Sequence, residues 1–398
     1  SIESIANYYN FERIDTPILE FAEVFVKGVG SMTDIVEKEM YTFRTKGGDL
    51  VSLRPEFTAG VARSYIEHGM HNLPQPVKLW TTGPLFRYER PQSGRYRQFH
   101  QFNFEAMGDK SPSIDGQIIQ MCYDILKDLG FRHINIEVNS IGDSECRPYF
   151  KKMLSTYFRT KKSLLCSDCQ RRLKENPLRI LDCKEQKCQE VKAGAPQIID
   201  HLCEGCHTHF KQVLEFLDEL ELPYVLNPYL VRGLDYYTKT VFEIVEKTES
   251  GELQGSLAGG GRYDGLVKML GGRDTPACGA AGGIDRILNL MRTKEAKTEK
   301  KEEPKIFLAQ LGQLAKRKSL KLFEEFRSAK IPVAESFSKD SLRAQLKTAD
   351  KMGIKWVLIF GQKEALEDFI TLRDMESGVQ KEIKLNKVVS EMKEKVKK

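Results

Sequence analysis

Residues 83–105 read GPLFRYERPQSGRYRQFHQFNFE. Two runs of alternating character flank Pro91-Gln92-Ser93-Gly94, and a Pro/Gly-bearing stretch of this kind joins antiparallel strands. In the second run Arg95, Arg97, Phe99, Gln101, Asn103 and Glu105 share one face, and Tyr96, Gln98, His100, Phe102 and Phe104 share the other. An ordinary half-buried strand keeps apolar groups on one side and solvated groups on the other. Here the first face carries arginines near the loop and a carboxylate at the far end. Guanidinium forks pair bidentately with phosphate, whereas a Gln and a Glu suit a small zwitterion. The hairpin therefore predicts an antiparallel sheet that lays a nucleotide beside an amino acid. The aromatic face, His100 included, is read as sheet packing.

The rest of the composition is ordinary for a globular chain. It has 398 residues, 40% hydrophobic and 30% charged, enough for two or three domains. No apolar run approaches the roughly 20 residues that span a bilayer. The opening SIESIANYYNFERIDTPILE lacks the basic and apolar regions of a secretory signal, so no membrane association is expected. Nine cysteines, an odd number beside a large core, favour a reducing, cytoplasmic setting over a disulfide framework. The net charge of +6 is unevenly placed. Residues 304–398 hold 21 Lys and Arg against 13 Asp and Glu, a net +8, which leaves −2 for everything before them. Such a basic quarter is either a solvated lysine-rich surface or an electrostatic footprint for nucleic acid.

Composition shifts divide the chain. RTKEAKTEKKEE, residues 292–303, has no apolar anchor and reads as an exposed linker. After it, KIFLAQL, SLKLFEEFRSA, IPVAESF, LRAQLKTADKMG and WVLIFG alternate strand with helix, which implies a small α/β domain with parallel pairing. Before it, VKLWTTG, INIEVNSIG, TVFEIVEK and LQGSLAGGGRYD extend the antiparallel sheet, and IDGQIIQMCYDILKDLG is an amphipathic helix. Residues 144–222 are helical, rich in Lys and Cys and poor in strand signals, and read as an insertion. The expected division is sheet core 1–143, insertion 144–222, sheet core 223–291, linker 292–303 and α/β domain 304–398.

Four segments carry candidate chemistry. In Leu53-Arg54-Pro55-Glu56-Phe57-Thr58-Ala59-Gly60, Pro55 suits the start of a helix with Glu56 and Thr58 in its first turn. Those two residues either cap the helix or project into a pocket to take an ammonium or hydroxyl. Leu230-Val231-Arg232-Gly233-Leu234-Asp235-Tyr236-Tyr237-Thr238 packs Arg, Asp and two tyrosines before a β run. Arg232 is suited to neutralise a phosphate in a transition state, and a tyrosine hydroxyl to identify a polar ligand group. Gly255 to Gly265, GSLAGGGRYDG, fits neither a P-loop nor a dinucleotide fingerprint; it is a flexible loop or a strand whose glycines admit a ligand. CGAAGGIDRIL, from Cys278, runs into a helix whose first-turn Arg286 suits a nearby anion. Apart from these, Cys166-x-x-Cys169 and Cys203-x-x-Cys206 have Cys183 and Cys188 between them and His201, His207 and His209 nearby. Together the two pairs form either one structural Zn2+ site or free thiols, and no catalytic metal is expected from them.

The order of RIDTPILE, FVKGVGSMTDIVEKEMYTF, LRPEFTAG, the hairpin, LVRGLDYYT, AGGGRYDGL and GGIDRI resembles the histidyl-tRNA synthetases, a class II aminoacyl-tRNA synthetase family, over nearly the whole chain. LVRGLDYYT is the most specific piece. The resemblance implies an α+β catalytic core with an antiparallel sheet and flanking helices, a helical insertion and a C-terminal α/β anticodon-binding domain. It implies ligation of L-histidine to tRNA(His) through a histidyl-adenylate, with ATP and Mg2+, in a homodimer whose interface includes Pro17. Carried over by position, Glu56, Thr58, Gln101 and Glu105 would bind histidine, and Tyr236, Tyr237 and Tyr263 would line its imidazole pocket. Arg87 would grip the α-phosphate of ATP, with Glu89 and Arg95 nearby. Arg232 would stabilise that phosphate and the attacking carboxylate, and Arg286 would meet the γ-phosphate. Two departures stand out. The resemblance starts inside the family's first helix, past the segment bearing an RGT-D-like motif, which implies a fragment or a displaced start. Phe57 stands where the family commonly has a small residue. The rival reading is the catalytically silent paralogue that regulates histidine biosynthesis, which lacks the anticodon domain and the full residue set.

Overall fold

The computed structural model describes residues 2–30, 33–89, 95–247, 253–293, 304–336, 338 and 340–397. It divides into two compact units, Ser1–Ala296 and Lys297–Lys398. The first opens with α1 (Ile2–Tyr8), β1 (Glu12–Arg13), β2 (Leu19–Phe21), α2 (Ala22–Val29), β3 (Thr42–Arg44), β4 (Leu50–Leu53) and α3 (Thr58–Glu67). The hairpin strands are β5 (Val77–Phe86) and β6 (Gln98–Met107), paired antiparallel from Val77↔Met107 to Phe86↔Gln98. The predicted loop at 91–94 lies outside the described residues.

Next come α4 (Pro112–Asp128) and β7 (Ile134–Ser140). α4 starts two residues before the amphipathic run read from Ile114, with Pro112 in its first turn and the Ser111 hydroxyl accepting from the Ser113 amide at 3.3 Å. Its apolar stripe, Ile118, Met121, Cys122 and Ile125, is fully buried and packs with Phe102 and Phe104 of β6. Burying each such side chain contributes about 1.5–3 kcal/mol. The period of two in the hairpin thus hands Phe102 and Phe104 to the core and leaves Gln101, Asn103 and Glu105 for the other face.

Residues 144–222 form α5 (Arg147–Thr160), α6 (Ser167–Glu175), α7 (Gln186–Lys192) and α8 (Glu204–Glu219), with short 3-10 turns between them. Phe150, Leu154, Phe158 and Ile180 share one apolar cluster with Tyr236, Tyr237 and Tyr263, so this helical region forms part of the wall behind those tyrosines. The two CxxC pairs do not meet. Each opens a different helix, α6 and α8, and Cys166 and Cys169 gather with Cys183 and Cys188, whereas Cys203 and Cys206 gather with Asp143 and Cys146. The single site expected from the pairs together is therefore not formed.

The sheet is completed by β8 (Tyr224–Leu226), β9 (Thr238–Lys247), β10 (Leu253–Arg262) and β11 (Ala277–Gly283), with α9 (Leu266–Met269) and α10 (Ile284–Thr293). Its eight strands run β1-β5-β6-β11-β10-β9-β7-β8, antiparallel except for the two end pairs, β1–β5 and β7–β8. β11 is a correction to the sequence reading. Its ACGAAGG lacks β-branched and aromatic residues, yet it lies between β6 and β10 near the middle of the sheet. β2, β4 and β3 form a separate three-stranded sheet that exposes Leu19, Phe21, Phe43 and Leu50.

The second unit contains β12 (Ile306–Gln310), α11 (Gln313–Ser328), β13 (Val333–Glu335), α12 (Leu342–Lys351), β14 (Trp356–Phe360), α13 (Gln362–Leu366), β15 (Phe369–Asp374), β16 (Gln380–Lys384) and α14 (Val388–Lys397). β13, β12 and β14 are parallel, as their alternation with helices predicts. β15 and β16 add an antiparallel edge that the sequence reading did not include. QKEIK in β16 buries only Ile383, so the strand carries almost no hydrophobic signal. Of the expected linker, Arg292 and Thr293 close α10, and 294–303 lie outside the described residues.

Candidate active site

A cleft of about 150 Å3 opens on the polar face of β6, lined by Glu56, Thr58, Arg87, Gln101, Arg232, Tyr236, Tyr237 and Tyr263. A wider groove of about 700 Å3 beside Asp109 and Glu204 holds none of these groups. The smaller cleft is the candidate site, because convergent charges with displaced pKa values mark functional pockets better than size does.

At one end the carboxylates are crowded and buried. The two oxygens of Glu56 accept the amides of Thr58 at 2.7 Å and Ala59 at 2.8 Å. Glu56 therefore caps α3 and faces the cleft, so the two readings of this segment are compatible. The helix begins at Thr58, which places Pro55 and Glu56 before it rather than in its first turn. Phe57 is fully buried beneath the Arg54 guanidinium, 4.5 Å from its ring centre, and Arg54 donates to the Pro84 carbonyl at 3.0 Å. The bulk at position 57 is thus absorbed in packing, and its two neighbours keep their places.

Glu105 is 1% exposed. It accepts hydrogen bonds from the Thr58 hydroxyl at 2.6 Å and from the Tyr263 hydroxyl. Burial, with Glu56 nearby, nevertheless pushes its pKa up to about 8. Burial likewise raises Glu56, against the pull of the two amides. The tyrosines form a nest: the Tyr236 ring lies 4.7 Å from Tyr237 and 5.5 Å from Tyr263 between centroids.

At the other end the cations are already partnered. Arg232 forms an ion pair with Glu243, and its guanidinium lies 5.9 Å from the Tyr237 ring centre. Burial alone would lower its pKa; the Glu243 carboxylate and the two neighbouring tyrosines outweigh that and raise it. Arg87 donates from Nε to the Pro55 carbonyl at 2.9 Å and stacks over Phe99. Arg95 pairs with Glu89 at 3.4 Å, and Arg286 donates to the Ser256 carbonyl at 2.6 Å. Arg286 senses Arg95, Glu243 and Glu89 electrostatically, so these groups form one charged cluster. Arg87 and Arg232 line the cleft itself, whereas Glu89, Arg95 and Arg286 do not.

The glycines explain how a flat sheet holds so much. A Cβ at Gly279 would come within 1.8 Å of the Glu105 carboxylate, one at Gly259 within 2.8 Å of Arg232 Nη1, and one at Gly255 within 3.2 Å of Arg286 Nη1. The bare backbone of β10 and β11 makes room for the site's own side chains.

Beside the cleft lie groups that the sequence reading did not single out, Arg147 and Arg179 lining an adjoining cavity that shares Arg232 and Tyr237 with it. Arg147 donates to the Tyr237 carbonyl at 2.6 Å, Arg179 to the Arg232 carbonyl at 2.9 Å, and Asn139 to the Leu230 carbonyl at 3.0 Å. These three hold the irregular segment between β8 and β9. Asn103 lines the cleft, and its buried Oδ1 has no partner among the described residues; neither does Arg232 Nε. Glu243 was legible as an acid in the middle of the apolar run Val241–Val245. His100 is a correction. It is half-exposed rather than packed in the sheet, and its amide donates to Asp285 at 2.5 Å, tying β6 to α10.

A model of the histidyl-tRNA synthetase family matches residues 1–146 and 160–287, and a model of the anticodon binding domain matches 305–395. The histidine–tRNA ligase of Desulforamulus reducens is 44% identical over 385 residues, covering 97% of this chain and 91% of that protein. That of Dehalococcoides mccartyi is 44% identical over 392 residues, covering 98% and 93%. Among solved structures, the apo histidyl-tRNA synthetase of S. aureus superposes with a TM-score of 0.78 at 34% identity, covering 98% of this chain and 93% of that one. A Bacillus halodurans chain described as an ATP phosphoribosyltransferase regulatory subunit/histidyl-tRNA synthetase shares the fold at 18% identity, with a TM-score of 0.60. The chain belongs to the histidyl-tRNA synthetase family.

Proposed function

We propose that the cleft activates L-histidine with ATP and passes it to tRNA(His), the tyrosine-carboxylate end taking the amino acid and the arginine end the nucleotide. The chain is a histidine–tRNA ligase. The observation that supports this assignment of residues is a buried carboxyl, raised to about 8 and hydrogen-bonded to Thr58 and Tyr263 of the cleft wall, in the same site as a cleft-lining arginine paired with Glu243.

In the first step a histidine carboxylate oxygen attacks the α-phosphorus of ATP, and the bond to diphosphate breaks. Both reactants are anions, so the site must offset their repulsion and fix their geometry. Arg232 and Arg87, both lining the cleft, supply that charge. Glu105, Glu56 and Gln101 receive the α-ammonium, and Tyr236, Tyr237 and Tyr263 enclose the imidazole. In the second step a terminal ribose hydroxyl of the tRNA attacks the adenylate carbonyl and AMP leaves.

Mg2+ bound with ATP would add countercharge to the phosphates. The residues present suit it. Burial and the neighbouring Glu89 raise the Glu39 carboxyl, so two carboxylates lie close enough to sense each other beside the arginines. One or two carboxylates plus phosphate oxygens is the usual setting for this ion. Glu89, Arg95 and Arg286 would then serve the distal phosphates.

The silent-paralogue reading is disfavoured by the matched anticodon domain and by the gathering of Glu56, Thr58, Arg87, Gln101, Arg232 and the three tyrosines in one cleft. A homodimer is supported by the exposed Leu19, Phe21, Phe43 and Leu50 beside Pro17, an apolar surface on the three-stranded sheet. Among the described residues no helix is long and apolar enough to cross a membrane; a cytoplasmic location is part of this reading. The test is ATP–pyrophosphate exchange with each amino acid in turn. Exchange with histidine alone is expected; stimulation by another amino acid, or none at all, contradicts the assignment. Removing residues 304–398, the basic unit, should spare exchange and weaken tRNA charging.

A further inference from the structure

Seven of the nine cysteines gather in two places, and the other two, Cys122 and Cys278, lie singly in the core. In the first cluster the sulfurs of Cys166, Cys169, Cys183 and Cys188 all lie within 4.8 Å of one another, with Cys166 and Cys183 at 3.9 Å. In the second, Cys146, Cys203 and Cys206 join Asp143 within the same limit; its Oδ1 is 3.8 Å from the Cys146 sulfur and 3.9 Å from that of Cys203. We propose that residues 143–206 hold two structural metal ions, each zinc in a tetrahedral site, one on the four cysteines and one on Asp143, Cys146, Cys203 and Cys206.

The geometry selects the kind of ion. Thiolates about 2.3 Å from a tetrahedral zinc stand about 3.8 Å from each other. An iron–sulfur cube spreads its four cysteines over four separate irons, which sets them further apart. A disulfide joins two sulfurs and leaves the other two of each group unexplained, and all nine cysteines are free. Thiolate and carboxylate donors without an available histidine match zinc better than the harder magnesium.

The surroundings are those of a prepared site. The Cys166 amide donates to the Cys188 sulfur at 3.2 Å, and the Cys169 amide to the Cys166 sulfur at 3.4 Å. Such outer bonds orient sulfur ligands and stabilise their charge. In the second cluster the Glu145 amide fixes Asp143 Oδ1 at 3.0 Å. Both clusters combine a Cys-x-x-Cys pair opening a helix with two ligands from elsewhere in the chain.

Their position suggests what the ions do. Between Cys169 and Cys183 the chain carries Arg179, which holds the Arg232 carbonyl, and Asn176, which donates to Asp235 at 3.1 Å. Next to Cys146 is Arg147, which holds the Tyr237 carbonyl. Each ion thus ties down one of the two arginines that clamp the pocket segment from either side.

The test is the metal content of the intact chain, purified under reducing conditions without chelator from cells supplied with zinc. Two zinc ions per chain are expected, released when the thiols are modified. Cys183→Ser with Cys188→Ser should lose one ion and keep the other, and so should Cys203→Ser with Cys206→Ser. Wild-type protein with no bound metal, or with iron and sulfide, overturns the proposal without relying on any variant. One ion per chain, insensitive to the Cys203/Cys206 pair, overturns the second site. Replacement by Co2+ should give the intense visible absorption of tetrahedral thiolate ligation at both sites, and its absence overturns the geometry. On the same variants the KM for histidine should rise several-fold more than that for ATP; an unchanged KM with an ion missing overturns the clamping role.

Discussion

The two ends of the cleft face the same difficulty, a charged group removed from water, and meet it in opposite ways. At the proposed histidine end burial, with Glu56 nearby, raises Glu105 to about 8, so it keeps its proton at neutral pH. At the proposed nucleotide end Arg232 is less enclosed, its side chain 18% exposed, and it stays charged because Glu243 supplies the counterion. On the proposed assignment, the first end in its neutral form would receive the ligand's ammonium, and at the second, charged but partnered, a phosphate would compete with Glu243. A buried ionisable group can therefore be stored either by changing its protonation or by lending it a partner. The choice determines how each end responds to substitution and to pH.

Arg232→Ala should have the largest effect. Among the described residues lining the cleft the other cation is Arg87, which already donates to the Pro55 carbonyl, so exchange should fall about 1,000-fold or more, on the order of 4 kcal/mol. Unchanged circular dichroism would show that the fold survives, and near-normal exchange would end the claim that Arg232 serves the reaction. Glu105→Gln keeps the shape and hydrogen-bonding capacity but cannot take the charge. Its kcat/KM for histidine should drop about 100-fold, with the KM for ATP little changed; equal losses for both substrates would erase the distinction between the ends. Gly259→Ala should cost about 10-fold in exchange, because the added methyl displaces Arg232. A fully active Gly259→Ala would show that this glycine does not house the arginine.

The smallest effect is on stability. The carboxyl of Glu105 has its pKa raised from an ordinary 4.5 to about 8 in the folded chain. Between those pH values the folded state keeps a proton that the unfolded state has lost, so stability contributed by this group falls as pH rises through the window. Glu105→Gln should flatten that slope in denaturant titrations of the ligand-free enzyme. An identical slope in both proteins would mean that Glu105 is already ionised.

How much of this was legible depended on whether the chemistry sat in a regular pattern. The strict alternation of residues 98–105 assigned Phe102 and Phe104 to the core and Gln101 and Glu105 to the opposite face, and α4 announced itself through its apolar stripe. β11 was hidden because its residues were chosen for smallness: Gly279 leaves space for Glu105, and a strand of alanine and glycine carries no strand propensity. β16 was hidden because it is an exposed edge. Arg147, Arg179 and Asn139 act on carbonyls some 50 to 90 residues away, and no local pattern records such partners. The two CxxC pairs were visible as pairs, but which other ligands they recruit is a property of packing.

Calorimetric titration of histidine at pH 7, in buffers of different ionisation enthalpy, tests the difference between the two ends most directly. If the histidine end is stored neutral, binding of the ammonium must expel the Glu105 proton. We expect the wild type to release close to one proton more per histidine bound than Glu105→Gln does, and Arg232→Ala to release as much as the wild type. Equal proton release by the wild type and Glu105→Gln would contradict the division of the cleft.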